Sequence, residues 1–150
     1  MKSAKIAVAL ALAGLALANC AQAQGDARVW SLTKDGVSLR DPAKPRPIAV
    51  ALPGWHFAGA PYGSAPALAI GPQGEAIVTS DIAPVLWRVD PKTLAVSVHT
   101  LALDADTDKD VGFSTLVYSR EHEAFVGVSG TLGSVWIIDR PLTRARKLKF

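Results

Sequence analysis

The densest set of potential ligands in the chain is Asp104-Ala105-Asp106-Thr107-Asp108-Lys109-Asp110. Four carboxylates at alternate positions can converge on a hard cation, which takes about six to eight oxygen ligands. Asp104, Asp106 and Asp108 have the spacing of positions 1, 3 and 5 of a calcium loop. Two departures count against that chemistry. Lys109 stands where the sharp turn needs glycine, and Thr115 where a bidentate Glu belongs. Two expectations therefore stand side by side: calcium held by Asp104, Asp106, Asp108 and Asp110, or a solvated acidic turn.

A second concentration is the aromatic loop Gly54-Trp55-His56-Phe57-Ala58-Gly59-Ala60-Pro61-Tyr62-Gly63. Glycines supply bends there and aromatic rings supply contact area, so Trp55, His56, Phe57 and Tyr62 are candidate ligand-binding residues for a sugar or a partner protein. The competing expectation is that the rings fold back over neighbouring strands. Asp81, after Ser80, is the other candidate. Catalytic constellations are missing from the sequence. No two histidines among His56, His99 and His122 have zinc-ligand spacing, no Ser lies in a G-x-S-x-G elbow, and no glycine-rich phosphate loop is present.

The elements that must position these residues follow from an internal repeat. Leu68-Ala69-Ile70 aligns with Leu116-Val117-Tyr118 at an offset of 48. Glu75-Ala76-Ile77-Val78 then aligns with Glu123-Ala124-Phe125-Val126, and after one extra residue Trp87-Arg88-Val89-Asp90 aligns with Trp136-Ile137-Ile138-Asp139. An earlier partial copy over 27–52 is carried by Asp41-Pro42 against Asp90-Pro91 and by Leu52 against Leu101, at an offset of 49. Within each copy the periodicity is that of short strands punctuated by turn clusters such as Gly71-Pro72-Gln73-Gly74. Strands are expected at 67–70, 75–79, 85–89 and 94–101, and again near 113–118, 123–128, 134–138 and 143–149. Trp87 and Trp136 recur at one position and read as packing residues. The alternating basic residues Arg140, Arg144, Arg146, Lys147 and Lys149 read as an edge strand protected by charge.

Four antiparallel strands every 40–50 residues form the blade of a β-propeller. Val78-Thr79-Ser80-Asp81-Ile82 followed by Leu86-Trp87-Arg88-Val89-Asp90-Pro91 resembles blades of gluconolactonase and NHL-type propellers, over 66–103 and more faintly over 113–150. The fold class expected is all-β, with about two full propeller-like blades and a partial one that lacks its innermost strand. Closed propellers have about 4–8 blades, so an incomplete propeller is expected, with exposed flanks that favour self-association or contact with another envelope protein. A compact β-sandwich is the competing architecture. The resemblance implies a second function, that of a metal-dependent hydrolase with a divalent cation on the central axis, for which Asp81 and the 104–110 loop are the only acids suitably placed. The first expectation is a non-enzymatic binding or assembly module.

The N-terminus has the order of an export signal: Lys2 and Lys5, the 13-residue uncharged run Ile6–Ala18, then Ala21-Gln22-Ala23. A spanning helix needs roughly 20 apolar residues, so cleavage after 23 and a periplasmic or secreted domain over 24–150 are expected, with no transmembrane span. The rival is lipidation at Cys20, against which Asn19 departs from the small residue that a lipobox wants. The chain has 16 Lys+Arg against 13 Asp+Glu, and loss of Lys2 and Lys5 leaves 14 against 13. That balance gives no support for nucleic-acid binding as a property of the whole protein, and none is expected. Cys20 is the one cysteine, so no disulfide braces the mature domain and burial must hold it together.

Overall fold

The computed structural model describes residues 27–56 and 65–150. The signal segment, Cys20, Phe57 and Tyr62 lie outside the described residues. Within them every regular element is a strand, and no helix is long and apolar enough to cross a membrane.

Three sheets succeed one another along the chain. The first contains β1 (Val29–Leu32), β2 (Gly36–Arg40) and β3 (Ile48–Ala51) in that order. The second contains β4 (Leu68–Ile70), β5 (Ala76–Thr79), β6 (Val85–Val89) and β7 (Val96–Thr100), again in sequence order. The third contains β8 (Ala102–Leu103), β9 (Thr115–Ser119), β10 (Ala124–Ser129), β11 (Ser134–Asp139) and β12 (Arg144–Lys147), ordered β8-β12-β11-β10-β9. Each pairing is antiparallel except that of β8 with β12, which is parallel. The described sheets do not close into a ring. The parallel pair corrects one expectation: the basic C-terminal strand is not a bare edge, because the chain leaving β7 runs past it and adds β8 to its outer side.

The hairpins explain why strands form where they do. Gly74, at φ +83°, lets the Gly71–Gly74 turn close, and its N–H donates to the Gly71 carbonyl at 3.1 Å. Asp41, Asp90 and Asp139 stand 49 residues apart, and each opens the turn before the last antiparallel strand of its sheet. Asp41 Oδ1 accepts from the Ala43 N–H at 2.9 Å. Asp90 Oδ1 accepts from Lys92 at 2.8 Å and Thr93 at 2.7 Å, and Asp139 Oδ1 from Thr143 at 2.6 Å and Arg144 at 2.9 Å. These carboxylates satisfy backbone donors that the turn would otherwise leave open.

Alternation then sorts the side chains between two core layers. Ala76, Val78, Trp87 and Val89 face the first sheet and meet Trp30, Val37, Leu39 and Leu52. Ile77 and Leu86 face the third sheet and meet Phe113, Phe125, Trp136 and Ile138. The second sheet is therefore covered on both faces, and all four residues of β5 are buried. Burying a side chain of this kind contributes about 1.5–3 kcal/mol, so two layers supply the burial expected to replace disulfides. Indole N–H groups also link sheets one and two. Trp30 Nε1 donates to the Gly74 carbonyl at 3.0 Å, Trp55 to Thr79 at 2.9 Å, and Trp87 to Pro53 at 2.7 Å.

The ladders correct the sequence alignment by one residue. Trp87 pairs with Val78, whereas Trp136 pairs with Gly127, so β5 and β10 correspond at an offset of 49. The extra residue lies in the hairpin before β10, where Glu123 has φ +47°, and not between the second and third strands. Gly127 replaces a valine for a steric reason: a Cβ there would stand 2.8 Å from the Phe113 ring.

Candidate functional site

The residues expected to face a ligand separate into four situations. Trp55 is 4% exposed and packs in the layer between sheets one and two. Its ring is a clamp between sheets and is not available for stacking, which corrects the ligand-binding expectation at this position. His56 is exposed beside it. Asp81 is half-buried, with Oδ2 enclosed and without a hydrogen-bond partner. The aspartates of 104–110 lie at the edge of the third sheet, against β12.

Around Asp81 the structure is tight. Ser80 Oγ accepts from the Ile82 and Ala83 N–H groups at 3.3 and 3.2 Å, and the Ser80 carbonyl accepts from Phe113 at 2.8 Å. Thr79, fully buried, accepts on Oγ1 from the Ala67 N–H at 2.7 Å and donates to the Phe113 carbonyl at 2.6 Å. Gly112 lies flat on the turn, since a Cβ there would stand 1.9 Å from the Asp81 carbonyl carbon. Thr79 and Gly112 are the junction between sheets two and three; Thr79 stood in the blade-like motif with no role of its own, and Gly112 was passed over. The available signal was a lone glycine between the apolar residues Val111 and Phe113, a mark of close backbone approach.

The acidic loop is a clasp. Asp104 donates its N–H to the Ala145 carbonyl at 3.3 Å and accepts on Oδ1 from the Lys147 N–H at 2.9 Å, which extends the β8–β12 pairing. Asp106, at φ +52°, accepts on Oδ1 from Lys109 Nζ at 2.8 Å and on Oδ2 from Lys147 Nζ at 2.5 Å. Hydrogen bonds from Lys109, then Lys147, hold the Asp106 carboxyl below the usual carboxylate range. The same contact raises the Lys109 ammonium. Asp108 and Asp110 are exposed. A calcium ion needs several free oxygens converging on one point, but both Asp106 oxygens are engaged by ammonium groups. Among the described residues no group of three His, Cys, Asp or Glu side chains is placed to hold a metal. The residues present do not fit the ion.

Two grooves remain. One, of about 540 Å³, lies between the second and third sheets, with Gln73, Arg88, Thr93, Ser97 and Arg140 among its walls. His99, on β7 beside Arg88, has its imidazolium form disfavoured by burial and then by the guanidinium charge. The other, of about 750 Å³, lies on the outer face of the third sheet over Ile137, with Arg140, Arg144, Arg146 and His122 on its rim. That outer face is apolar at its centre. Val117, Val126, Ile137 and Arg146 form one cross-strand row, with Val128 and Val135 paired beside it. The outer face of the first sheet instead carries Val29, Ser31, Ser38, Arg40, Ala49 and Ala51. Comparisons of the chain with protein-family models, with curated proteins and with solved structures find no match.

Proposed function

We propose that this chain is an exported, non-enzymatic binding or assembly module of the bacterial envelope, built of propeller-like blades, that associates with a second copy of itself through the outer face of its third sheet. The observation that carries the reading is the contrast between the two terminal sheet faces. The second sheet is covered on both sides, whereas the third leaves Val117 53% exposed and Val126, Val128, Val135 and Ile137 partly open beside it. Contiguous apolar surface of this kind is characteristic of interaction sites. Its rim carries both signs of charge, Arg144 and Arg146 with Asp104 and Glu123, so two copies related by a two-fold axis can pair guanidinium with carboxylate. The outer face of the first sheet sets Val29, 49% exposed, among the small residues Ser31, Ser38, Ala49 and Ala51 and beside Arg40, and this smaller apolar area favours face-to-face over head-to-tail stacking. The ligand-binding alternative at His56, Phe57 and Tyr62 keeps only His56 among the described residues.

Light scattering on residues 24–150 at micromolar concentration tests the reading. The expected result is a dimer that Val117→Glu converts to a monomer of unchanged melting behaviour at low concentration. A wild-type monomer at all concentrations, melting cooperatively, would overturn it. Intact mass of the exported protein tests the address: a chain starting at Gln24 is expected, and a diacylglyceryl adduct on Cys20 would refute that. The metal-dependent hydrolase reading draws on the enclosed, unpartnered Oδ2 of Asp81 alone, and among the described residues no group of three His, Cys, Asp or Glu side chains is placed to hold a metal.

A further inference from the structure

The cleft between the second and third sheets has an unusual balance of engaged and unengaged groups. Two acids line it, Glu75 and Asp90, and both are turned into their own hairpins. Glu75 Oε2 accepts from the Gln73 N–H at 2.7 Å, and its carboxylate lies against Gly71, where a Cβ would stand 2.2 Å from Oε1. Asp90 Oδ1 holds the Lys92 and Thr93 N–H groups. The cations are placed differently. Arg88 donates one Nη2–H to the Arg140 carbonyl at 2.6 Å, and its Nε is enclosed without an acceptor. Among the described residues no carboxylate forms a salt bridge with either Arg88 or Arg140. Two guanidiniums from different sheets therefore border one cleft of about 540 Å³ with most of their donors unused. The hydroxyls on the same wall are engaged locally, Ser97 Oγ with His99 Nε2 at 2.9 Å and Thr93 Oγ1 with the Ala95 N–H at 3.3 Å and the Asp90 carboxylate. Guanidiniums are suited to oxyanions because their planar donor fork matches a carboxylate or phosphate.

We propose that this cleft binds a small oxyanion, a phosphate or carboxylate group, between Arg88 and Arg140. The cleft lies on the inner side of the third sheet; Arg140 borders it and also stands on the rim of the outer groove, whereas Arg88, Thr93 and Ser97 belong to the cleft. His99 reports on it, since an anion beside Arg88 offsets the guanidinium charge that disfavours imidazolium.

The experiment is a titration of the exported chain with inorganic phosphate and with succinate at constant ionic strength, followed by amide and imidazole NMR. Saturable shifts at Thr93, Ser97 and Arg140 are expected, with a rise in the His99 titration midpoint on loading. Preference for phosphate or for succinate assigns the oxyanion. Arg140→Gln, on an exposed turn, is expected to weaken binding about tenfold or more, the worth of one charge-assisted hydrogen bond. Arg88→Lys keeps the charge but loses the fork and is expected to weaken it as well. Shifts that chloride reproduces equally would overturn the proposal. So would the absence of saturable shifts for either anion, or undiminished binding by Arg140→Gln.

Discussion

Replacing Gly112 by alanine tests the junction that holds sheet three to sheet two. The added Cβ would stand 1.9 Å from the Asp81 carbonyl carbon, 2.1 Å from its oxygen and 2.3 Å from the Ile82 nitrogen. These are backbone atoms, so no side chain can rotate away. The segment cannot step back either. Val111 and Phe113 on both sides are fully buried, and Phe113 is tied by its N–H to Ser80 at 2.8 Å and by its carbonyl to Thr79 Oγ1 at 2.6 Å. Overpacking costs about 1–3 kcal/mol, and each hydrogen bond lost adds about 0.5–1.5 kcal/mol. With both bonds lost the expected destabilisation is about 2–6 kcal/mol, which in a domain of this size lowers Tm by roughly 8–24 °C. Urea unfolding followed by tryptophan fluorescence and a thermal melt by circular dichroism both measure it. Gly133→Ala is the control: its φ is +58° and nothing lies within 4 Å of the added Cβ, so only a backbone cost of about 1–2 kcal/mol is expected. If Gly112→Ala melts like wild type, or no lower than Gly133→Ala, the segment 111–113 is not seated on the Asp81 turn.

Trp87→Phe keeps most of the buried ring but removes the N–H bond to Pro53 at 2.7 Å. It should destabilise the protein by about 1–3 kcal/mol in urea unfolding, and an unchanged midpoint would show that the indole link carries no load. Millimolar calcium should leave Tm unmoved, because lysines occupy both oxygens of Asp106; a rise in Tm that chelator reverses would refute the clasp. The depressed carboxyls of Asp90, Asp106 and Asp139 bind protons less readily folded than unfolded. Their stabilisation is therefore present above the ordinary Asp pKa of about 3.9 and lost as pH falls through the lowered folded values. His99 acts in the same direction at higher pH: stability should fall as pH drops from about 6.5 toward its lowered folded pKa. His99→Gln should abolish that step in a plot of Tm against pH.

Strand positions were legible because they depend on local signals. Gly71-Pro72-Gln73-Gly74 and Asp90-Pro91-Lys92-Thr93 bracket β5 and β6, and the expected 75–79 and 85–89 agree with Ala76–Thr79 and Val85–Val89 to within one residue. The all-β class and the three-stranded first sheet follow from the same alternation and turn chemistry. The buried roles of Trp87 and Trp136 were readable from recurrence. What depends on distant partners was not. Trp55 reads as a loop aromatic until Thr79, 24 residues on, supplies its acceptor. Asp106 reads as a metal ligand until Lys147, 41 residues away, neutralises it. The alignment slipped by one residue because a hairpin insertion leaves the apolar pattern intact while changing which face each residue presents. The basic strand β12 reads as an edge until β8 pairs with it from outside. Periodicity and turn residues are encoded within a few positions of the chain, so the sequence by itself determined the strands. Which face each strand buries, and which charges meet, is decided only when the sheets stack, because that brings together residues from separate segments of the chain.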